Sequence, residues 1–264
     1  MDWSNFALVS ALSLLALALM QTATWLWSKQ AGKLAVVDAV WGAGFAVVGV
    51  VSLGAGSGGL TRRVLLAVLV AIWGLRLSWH IFKRSQGKGE DPRYADLYGD
   101  KTPLVAALRV FGVQGALQWV ISMPLQASAA ADETEGLWIL LLVVGVLIWA
   151  TGLFFEAVGD AQLRSFMADP SNKEQGKVMD QGLWAWTRHP NYFGDSCVWW
   201  GIFVIVLSAG TWGVVWTVIA PLAMTHFLRN VSGAKLLEKS MSKRPAFQAY
   251  MQRTAYFFPR PPKR

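Results

Sequence analysis

The sequence predicts an all-α, polytopic membrane protein of about seven transmembrane helices. Apolar residues make up 54% of the 264-residue chain and charged residues only 15%. The apolar residues collect in runs of about 20, the length at which an α-helix spans the hydrocarbon core of a bilayer. No long linker or internal repeat interrupts them, so residues 1–264 are interpreted as a single membrane domain.

The apolar runs can be followed in chain order. We place them at Trp3 to Trp27, Leu34 to Leu53, Val64 to Phe82, Leu104 to Leu125, Leu137 to Val158, Tyr192 to Leu207 and Thr211 to Leu228. The first run lacks a preceding basic segment and a small-residue cleavage site, and it exceeds the length of a signal-peptide core. It is therefore expected to remain in the mature protein.

The distribution of Lys and Arg predicts the orientation in the membrane. Basic residues collect in alternate loops and in the C-terminal tail, whereas the opposite side carries Arg62 and Arg63. Because basic loops stay cytoplasmic, the N-terminus is predicted outside and the C-terminus inside. The net charge of +8 then reflects topology and attraction to anionic membrane lipids, and it argues against a nucleic-acid partner, which needs a basic soluble face.

Ionisable residues inside the apolar runs are the next observation, because such groups are costly at bilayer depth and usually serve function or pair with one another. Asp38 lies in the second run. In the third run Trp73, Arg76 and His80 follow at i, i+3 and i+7, on one helix face. A buried pair, for example Arg76 with Asp38 or Asp195, is the purely structural alternative.

Two further polar faces lie near the predicted cytoplasmic ends of the fifth and sixth runs. Glu156, Asp160 and Arg164 repeat every four residues, and so do Asn191, Asp195 and Trp199. Several polar faces at the same side of the membrane indicate a polar cavity that opens to the cytoplasm.

The segment between these runs ends in a distinctive motif. It reads G-L-W-A-W-T-R-H-P-N-Y-F-G-D over Gly182–Asp195. Pro190 suits the first turn of a helix, where its missing N–H costs nothing. Arg188 and His189 stand just before that turn, where exposed N–H groups attract phosphate.

These residues resemble the DUF1295 family, which is related to the steroid 5α-reductases. The resemblance also rests on E-A-V-G-D-A-Q-L-R-S-F (Glu156–Phe166), D-A-V-W-G (Asp38–Gly42), G-K-G-E-D-P-R-Y (Gly87–Tyr94) and the tail motifs V-S-G-A-K-L-L-E-K and F-F-P-R-P-P-K. It implies a seven-helix enzyme in which NADPH reduces the carbon–carbon double bond of an apolar, steroid-like or lipid enone. Residues 1–103 would then form the substrate side, and residues 104–264 the cofactor-binding part.

The resemblance also assigns roles to individual residues. Asn191 and Asp195 match cofactor hydrogen-bonding positions, Asp160 an acidic cofactor contact, and Arg76 an intramembrane arginine that meets phosphates. With the neighbouring polar faces and the tail, the candidate cofactor-binding set is Arg76, Glu156, Asp160, Arg164, Arg188, His189, Asn191, Tyr192, Asp195 and Glu238. For the 2′-phosphate of NADPH, the tail offers Lys235, Glu238, Lys239, Arg244 and Arg253 without favouring one of them.

The catalytic candidates are Asp38, Trp73 and His80. Hydride transfer to an enone needs no metal or nucleophile, but a donor must stabilise the developing enolate oxygen. A protonated Asp38 would suit that role, and His80 is the second candidate acid. Trp73 occupies the position that matches the carbonyl-binding tyrosine of the steroid enzymes. The sequence shows no metal-ligand or catalytic-triad spacing, and Cys197 has no second cysteine to pair with.

Two alternative functions, a methyltransferase and a solute carrier, belong to protein classes other than the reductases. The R-H-P-x-Y-x-G core also occurs in isoprenylcysteine-type methyltransferases that use S-adenosylmethionine, although their paired tail acids are replaced here by Glu238-Lys239. A solute carrier would require inverted repeats with broken helices, which the sequence does not show.

The topology suits a bacterial inner membrane, our preferred location, or an endoplasmic reticulum. Gly42, Gly44 and Gly49 suit close helix packing within or between chains.

Overall fold

The computed structural model describes residues 1–98 and 102–262, and within them every regular element is a helix. This confirms the all-α prediction. Lys101 and Lys263, which contribute to the basic loop and the tail motif, lie outside the described residues. The α-helices are α1 (Trp3–Ala31), α2 (Val36–Ala39), α3 (Trp41–Ala55), α4 (Leu60–Ser85), α5 (Pro92–Tyr98), α6 (Pro103–Ala107), α7 (Val113–Ile121), α8 (Met123–Ala129), α9 (Ile139–Ala168), α10 (Pro170–Glu174), α11 (Leu183–Trp186), α12 (Pro190–Leu207), α13 (Ile219–His226), α14 (Ala234–Met241) and α15 (Pro245–Arg253).

Short stretches of other helix types join these elements. Leu108–Gly112 and Phe227–Val231 are π-helical, and Gly136–Trp138 and Trp212–Val218 are 3₁₀-helical. The chain divides into two compact units. Unit 1 comprises Met1–Ile139 and Val206–Ala220, and unit 2 comprises Leu140–Ile205 and Pro221–Arg264.

Within residues 1–98 and 102–262, five helical stretches are long and apolar enough to cross a membrane, which makes the chain a multi-pass membrane protein. They are Trp3–Ala31, Leu60–Ser85, Leu104–Ile121, Gly136–Ala168 and Trp212–Met241. The predicted count of seven is not confirmed. The second run breaks at Val40 and leaves the 15-residue α3, about 22 Å long against a hydrocarbon core of about 30 Å. The sixth run, α12, begins with a polar turn and is not among the five.

Glycines let the helices of unit 1 approach closely. A Cβ on Gly42 would lie 2.2 Å from the carbonyl oxygen of Gly74, and a Cβ on Gly44 would lie 2.1 Å from Nε2 of Gln118. The space at Gly44 matters because Gln118 donates to the carbonyl of Trp41 at 2.8 Å. The amide thus supplies a hydrogen-bond donor to a backbone carbonyl at the break between α2 and α3, as polar side chains do inside membranes.

Arg62 ties together the other end of unit 1. Its side chain is fully buried and donates to Ser128 Oγ (2.8 Å), Thr134 Oγ1 (2.9 Å) and the carbonyls of Ala131 (2.8 Å) and Asp132 (2.7 Å). The charge pattern predicts Arg62 as a loop charge outside the membrane. Its guanidinium instead organises the turn that follows α8, because a buried charge requires a full set of partners.

In unit 2, α9 and α12 pack through glycines at a seven-residue spacing. A Cβ on Gly152 would lie 2.5 Å from the carbonyl oxygen of Gly194, and a Cβ on Gly201 would lie 2.7 Å from that of Gly145. Only glycine permits such backbone proximity. This contact brings the polar ends of the two helices together.

Candidate functional site

The R-H-P-N-Y motif begins α12 as predicted. Pro190 is the first residue of α12, and the N–H of His189 donates to Thr187 Oγ1 at 3.3 Å. The ring of Tyr192 stacks on that of His189, with 5.7 Å between centroids and 13° between planes. The motif therefore places Arg188 and His189 at the start of a buried helix.

Arg188, His189 and Glu238 form a buried cluster in unit 2. Arg188 donates from Nε to Glu238 Oε1 at 2.7 Å and from Nη2 to Oε2 at 3.1 Å, while His189 Nε2 lies 2.9 Å from Oε1. Nη1 of Arg188 also donates to the carbonyls of Met251 (3.1 Å) and Thr254 (2.7 Å). A bidentate pair with further carbonyl acceptors offsets much of the cost of burying these charges.

The same motif holds the C-terminal tail. Besides the bonds from Arg188 Nη1, residues 184–188 are joined to residues 250–260 by further hydrogen bonds: Tyr250 Oη donates to the carbonyl of Trp184 (2.5 Å), Arg188 N–H to that of Ala255 (2.9 Å), Thr187 Oγ1 to that of Phe257 (2.8 Å), and Arg260 N–H to that of Trp186 (2.9 Å). Burial raises the pKa of Tyr250, so its hydroxyl remains a donor. The tail is thus an integral part of unit 2.

The predicted polar faces of α9 and α12 meet. Asn191 Nδ2 donates to Asp160 Oδ1 at 3.1 Å. Glu156 contacts α12 beside Gly194, the residue before Asp195. Glu156, Asp160 and Asp195 are all buried, whereas Arg164 is exposed one turn further along α9. Three buried carboxylates and an amide therefore form a polar band where these helices meet.

A cavity of about 390 Å³ lies beside the Arg188 cluster, within unit 2. Of the arginines that the structure describes, four line it: Arg188, Arg229, Arg253 and Arg260. Arg188 pairs with Glu238, and Arg253 pairs with Asp180. Among the described residues, neither Arg229 nor Arg260 pairs with a carboxylate, so the cavity carries excess positive charge.

Aromatic side chains complete the cavity. The guanidiniums of Arg188 and Arg229 lie over the ring of Tyr256, at 5.3 and 5.8 Å from its centroid. The Tyr256 hydroxyl donates to the carbonyl of Arg229 at 2.6 Å. Burial raises the pKa of this hydroxyl. Phe258, which is exposed, also lines the cavity. Guanidiniums and exposed rings together suit a ligand that combines phosphate with a planar ring.

Arg229, Arg260 and Tyr256 line the cavity but were not among the predicted site residues. Of the five tail residues offered for the 2′-phosphate, Arg253 lines the cavity, whereas Lys235, Glu238, Lys239 and Arg244 do not. The available signal was the tail motif F-F-P-R-P-P-K, which contains Arg260. The position of Arg260 at the cavity depends on the hydrogen bonds that hold the tail.

The remaining candidates belong to unit 1. Trp73, Arg76 and His80 lie on the continuous helix α4. Trp73 is fully buried, 5.7 Å from Phe45 between ring centroids, whereas Arg76 and His80 are partly exposed. The prediction that they share a helix is confirmed, and their roles stay predictions.

Asp38 is held by the G-E-D-P-R-Y segment. Its carboxylate accepts from Tyr94 Oη at 2.7 Å and from Arg93 Nη2 at 3.0 Å. Burial, followed by the negative charge of Asp38, raises the pKa of Tyr94. Glu90 Oε1 and Oε2 accept from the N–H groups of Ala35 and Leu34. The D-A-V-W-G and G-E-D-P-R-Y motifs thus form one polar lock through Asp38 and Glu90.

Comparison with known proteins gives the family of the chain. Residues 24–254 match the family described as "Protein of unknown function (DUF1295)". Because this match covers most of the sequence, the chain belongs to the DUF1295 family. An uncharacterized protein of Schizosaccharomyces pombe is 30% identical over 80 residues, which is 30% of this chain and 23% of the yeast protein. No solved structure matches the chain.

Proposed function

We propose that this DUF1295 protein is a membrane-embedded, NADPH-dependent reductase related to the steroid 5α-reductases. Its substrate would be an apolar enone, such as a Δ4-3-oxo steroid or a similar lipid, that enters from the bilayer. The observation that supports this proposal most directly is the arginine-lined cavity of unit 2, which has two guanidiniums beyond those paired with carboxylates.

The residues of this cavity fit the chemistry of the cofactor. NADPH carries a pyrophosphate and a 2′-phosphate, and guanidiniums bind phosphate oxygens through directed hydrogen bonds. Arg229 and Arg260 would bind phosphate, and the exposed ring of Phe258 would contact adenine. S-adenosylmethionine has a sulfonium cation and no phosphate, so a surplus of arginine is a poor match for it.

When bound, NADPH would supply a hydride to the β-carbon of the enone. The protein must then polarise the substrate carbonyl and exclude water. Asp38, Trp73 and His80 in unit 1 are the proposed groups for this task, and the buried band of Glu156, Asp160, Asn191 and Asp195 in unit 2 would position the cofactor.

The proposal includes a topology of seven membrane crossings. The N-terminus would lie outside and the C-terminus in the cytoplasm of a bacterial inner membrane, because most loop arginines and lysines then face inward. This orientation puts Arg229, Arg253 and Arg260 on the side where nucleotide cofactors are found. Single cysteines introduced at each terminus of a Cys197→Ala protein, treated with a membrane-impermeant maleimide in intact cells, test this arrangement. Labelling of the C-terminal cysteine would contradict it.

The function is tested by ligand-induced thermal stabilisation of the purified protein in detergent, since a ligand that binds only the native state raises its apparent stability. NADPH, NADH and S-adenosylmethionine are compared in parallel. We expect a shift with NADPH that exceeds the shift with NADH. A shift with S-adenosylmethionine alone would overturn the reductase in favour of methyl transfer.

Two variants test whether NADPH binds in the arginine-lined cavity. Arg229→Gln and Arg260→Gln should each weaken NADPH binding by about tenfold or more, the effect of losing one charge-assisted hydrogen bond. Arg244→Gln is the matched control, because this tail arginine does not line the cavity. Equal affinity for NADPH in all three variants would remove the cavity from the proposal.

A further inference from the structure

The membrane-crossing stretch Trp212–Met241 changes character before its C-terminal end. The roughly 20 residues from Trp212 to Val231 already suffice for a helix to cross the hydrocarbon core. The helix then breaks, because the N–H groups of Ser232 and Gly233 both donate to the carbonyl of Phe227, at 3.0 and 3.3 Å. Helix α14 begins directly after this break. By chain connectivity, it therefore starts where the crossing of the membrane is complete.

Helix α14 is short, and one of its faces packs on the rest of unit 2. Of its eight residues, Ala234 and Glu238 are buried, and Glu238 binds Arg188 on this inner face. Isolated helices shorter than about 12–15 residues are only marginally stable in water. A helix of this length gains stability when a second surface covers its outer face.

The outer face of α14 carries leucines beside lysines. Leu236 and Leu237 expose 40% and 45% of their surface, and the exposed Ser240 lies between them around the helix. Lys235 and Lys239 are also exposed and stand one turn apart on the adjoining side. Apolar side chains flanked by cationic ones are typical of helices that lie in the plane of a membrane interface.

The lysines of this outer face carry positive charge that no carboxylate of the described residues offsets. Lys243 continues the four-residue spacing of Lys235 and Lys239 just beyond the end of α14. In the described part of the chain, none of the three forms an ion pair. Glu238, the acidic residue of the helix, faces Arg188 instead. An anionic surface therefore complements the outer face of α14.

We propose that α14 lies in the membrane interface and binds anionic phospholipids. Leu236 and Leu237 enter the upper part of the acyl chains, and the three lysines meet the headgroups. The bilayer is the occupant because α14 begins only three residues beyond Val231, the end of the crossing segment. The inference does not rest on the reductase proposal, so a failure of NADPH binding leaves it intact.

Hydrogen exchange of the full chain in lipid nanodiscs, resolved by mass spectrometry, tests this binding. Discs that hold a single copy of the protein are made from phosphatidylcholine alone and from phosphatidylcholine with phosphatidylglycerol. We expect the amides of α14 to exchange at least about tenfold more slowly in the anionic discs, because each lysine near an anionic surface adds to the stability of the bound helix. Peptides from α9 are the internal reference and should not change.

A triple variant tests the contribution of charge. Lys235→Gln, Lys239→Gln and Lys243→Gln together should remove most of the difference in exchange between the two lipids. The matched control removes the same charge from three lysines that are exposed elsewhere. They are Lys88, Lys173 and Lys177. This control, also made by substitution with Gln, should keep the difference.

A double variant tests the insertion of the leucines. Leu236→Gln with Leu237→Gln should speed the exchange of α14 in both lipids, because an amide side chain enters an apolar phase poorly. Both leucines are exposed, so the substitutions leave the packed core of unit 2 intact. Leu236→Met with Leu237→Met keeps the apolar character and should exchange like the unmodified protein. Unchanged exchange in the Gln variant would exclude insertion.

Three further results would overturn the inference. Equal exchange of α14 in the two lipids would remove the anionic headgroups from the proposal. Equal losses in the triple variant and its control would show a general effect of surface charge. Protection that requires discs with two copies would assign the leucines to a contact between copies of the chain. Slower exchange in single-copy anionic discs, lost in the triple variant and kept in its control, supports the proposal.

Discussion

Glu238 and Arg188 form a bidentate pair, with hydrogen bonds of 2.7 and 3.1 Å, although they stand 50 residues apart in the sequence. Arg188 precedes α12, and Glu238 lies on α14. Through Arg188 the same pair reaches the carbonyls of Met251 and Thr254. This contact fixes the tail, and with it the arginine-lined cavity.

Glu238→Gln should therefore loosen the tail as well as destabilise unit 2. Removing one partner of a buried ion pair leaves the other charge uncompensated, which costs about 3–5 kcal/mol. We expect a lower thermal midpoint and faster proteolysis within residues 245–260. The exposed Glu174→Gln is the control and should behave like the unmodified protein. Unchanged proteolysis of the tail in Glu238→Gln would contradict this role.

Gly152→Ala should destabilise the contact between α9 and α12. The added Cβ would lie 2.5 Å from the carbonyl oxygen of Gly194, so the helices would have to move apart, at a cost of about 1–3 kcal/mol. Thermal unfolding in detergent measures the loss. Gly112→Ala adds the same methyl group where nothing lies within 4 Å, and it should be neutral or slightly stabilising. Equal stability of the two variants would argue against close packing at Gly152.

Asp38→Asn tests the proposed acid. If Asp38 protonates the enolate, the substitution should slow reduction of a Δ4-3-oxo steroid by about 10²- to 10⁴-fold and leave NADPH affinity unchanged. NADPH oxidation in proteoliposomes measures the rate. Tyr94→Phe removes the hydroxyl that donates to Asp38 but keeps the carboxyl group. Full activity of Asp38→Asn would exclude Asp38 from the mechanism. If Asp38→Asn and Tyr94→Phe lose the same rate and both lower the thermal midpoint, Asp38 has a structural role in the polar lock and is not the acid.

Asp91 should make the polar lock sensitive to acid. Its hydrogen bond with the Arg93 side chain holds the pKa of the carboxyl below its usual value of 3.8. The pair therefore stabilises the folded state above that value, and this contribution is lost as the pH falls through the lowered pKa. Asp91→Asn should reduce the thermal midpoint at neutral pH, and the difference from the unmodified protein should vanish as the pH falls through the lowered pKa of Asp91. A difference that persists in acid would show that Asp91 acts by packing.

Much of the site could be predicted because it depends on local sequence. The four-residue spacing of Glu156 and Asp160 placed them on one face of a helix, and Pro190 marked the start of α12. The partner of Asp38 was not predictable in this way. Arg93 was interpreted as a loop charge that sets topology, yet it lies against Asp38 because Glu90 docks its segment on the N–H groups of Leu34 and Ala35.

The sequence by itself determined that the chain is helical, lies in a membrane and carries polar helix faces, because residue periodicity and hydrophobic length are local properties of the backbone and the bilayer. Tertiary structure decided which distant groups meet. Gln118 reaches the break at Val40 only because Gly44 leaves it room. Arg229 and Arg260 line one cavity only because Glu238 and Arg188 hold the tail. Such contacts join residues far apart in the chain, and their formation depends on complementary surfaces that no local pattern encodes.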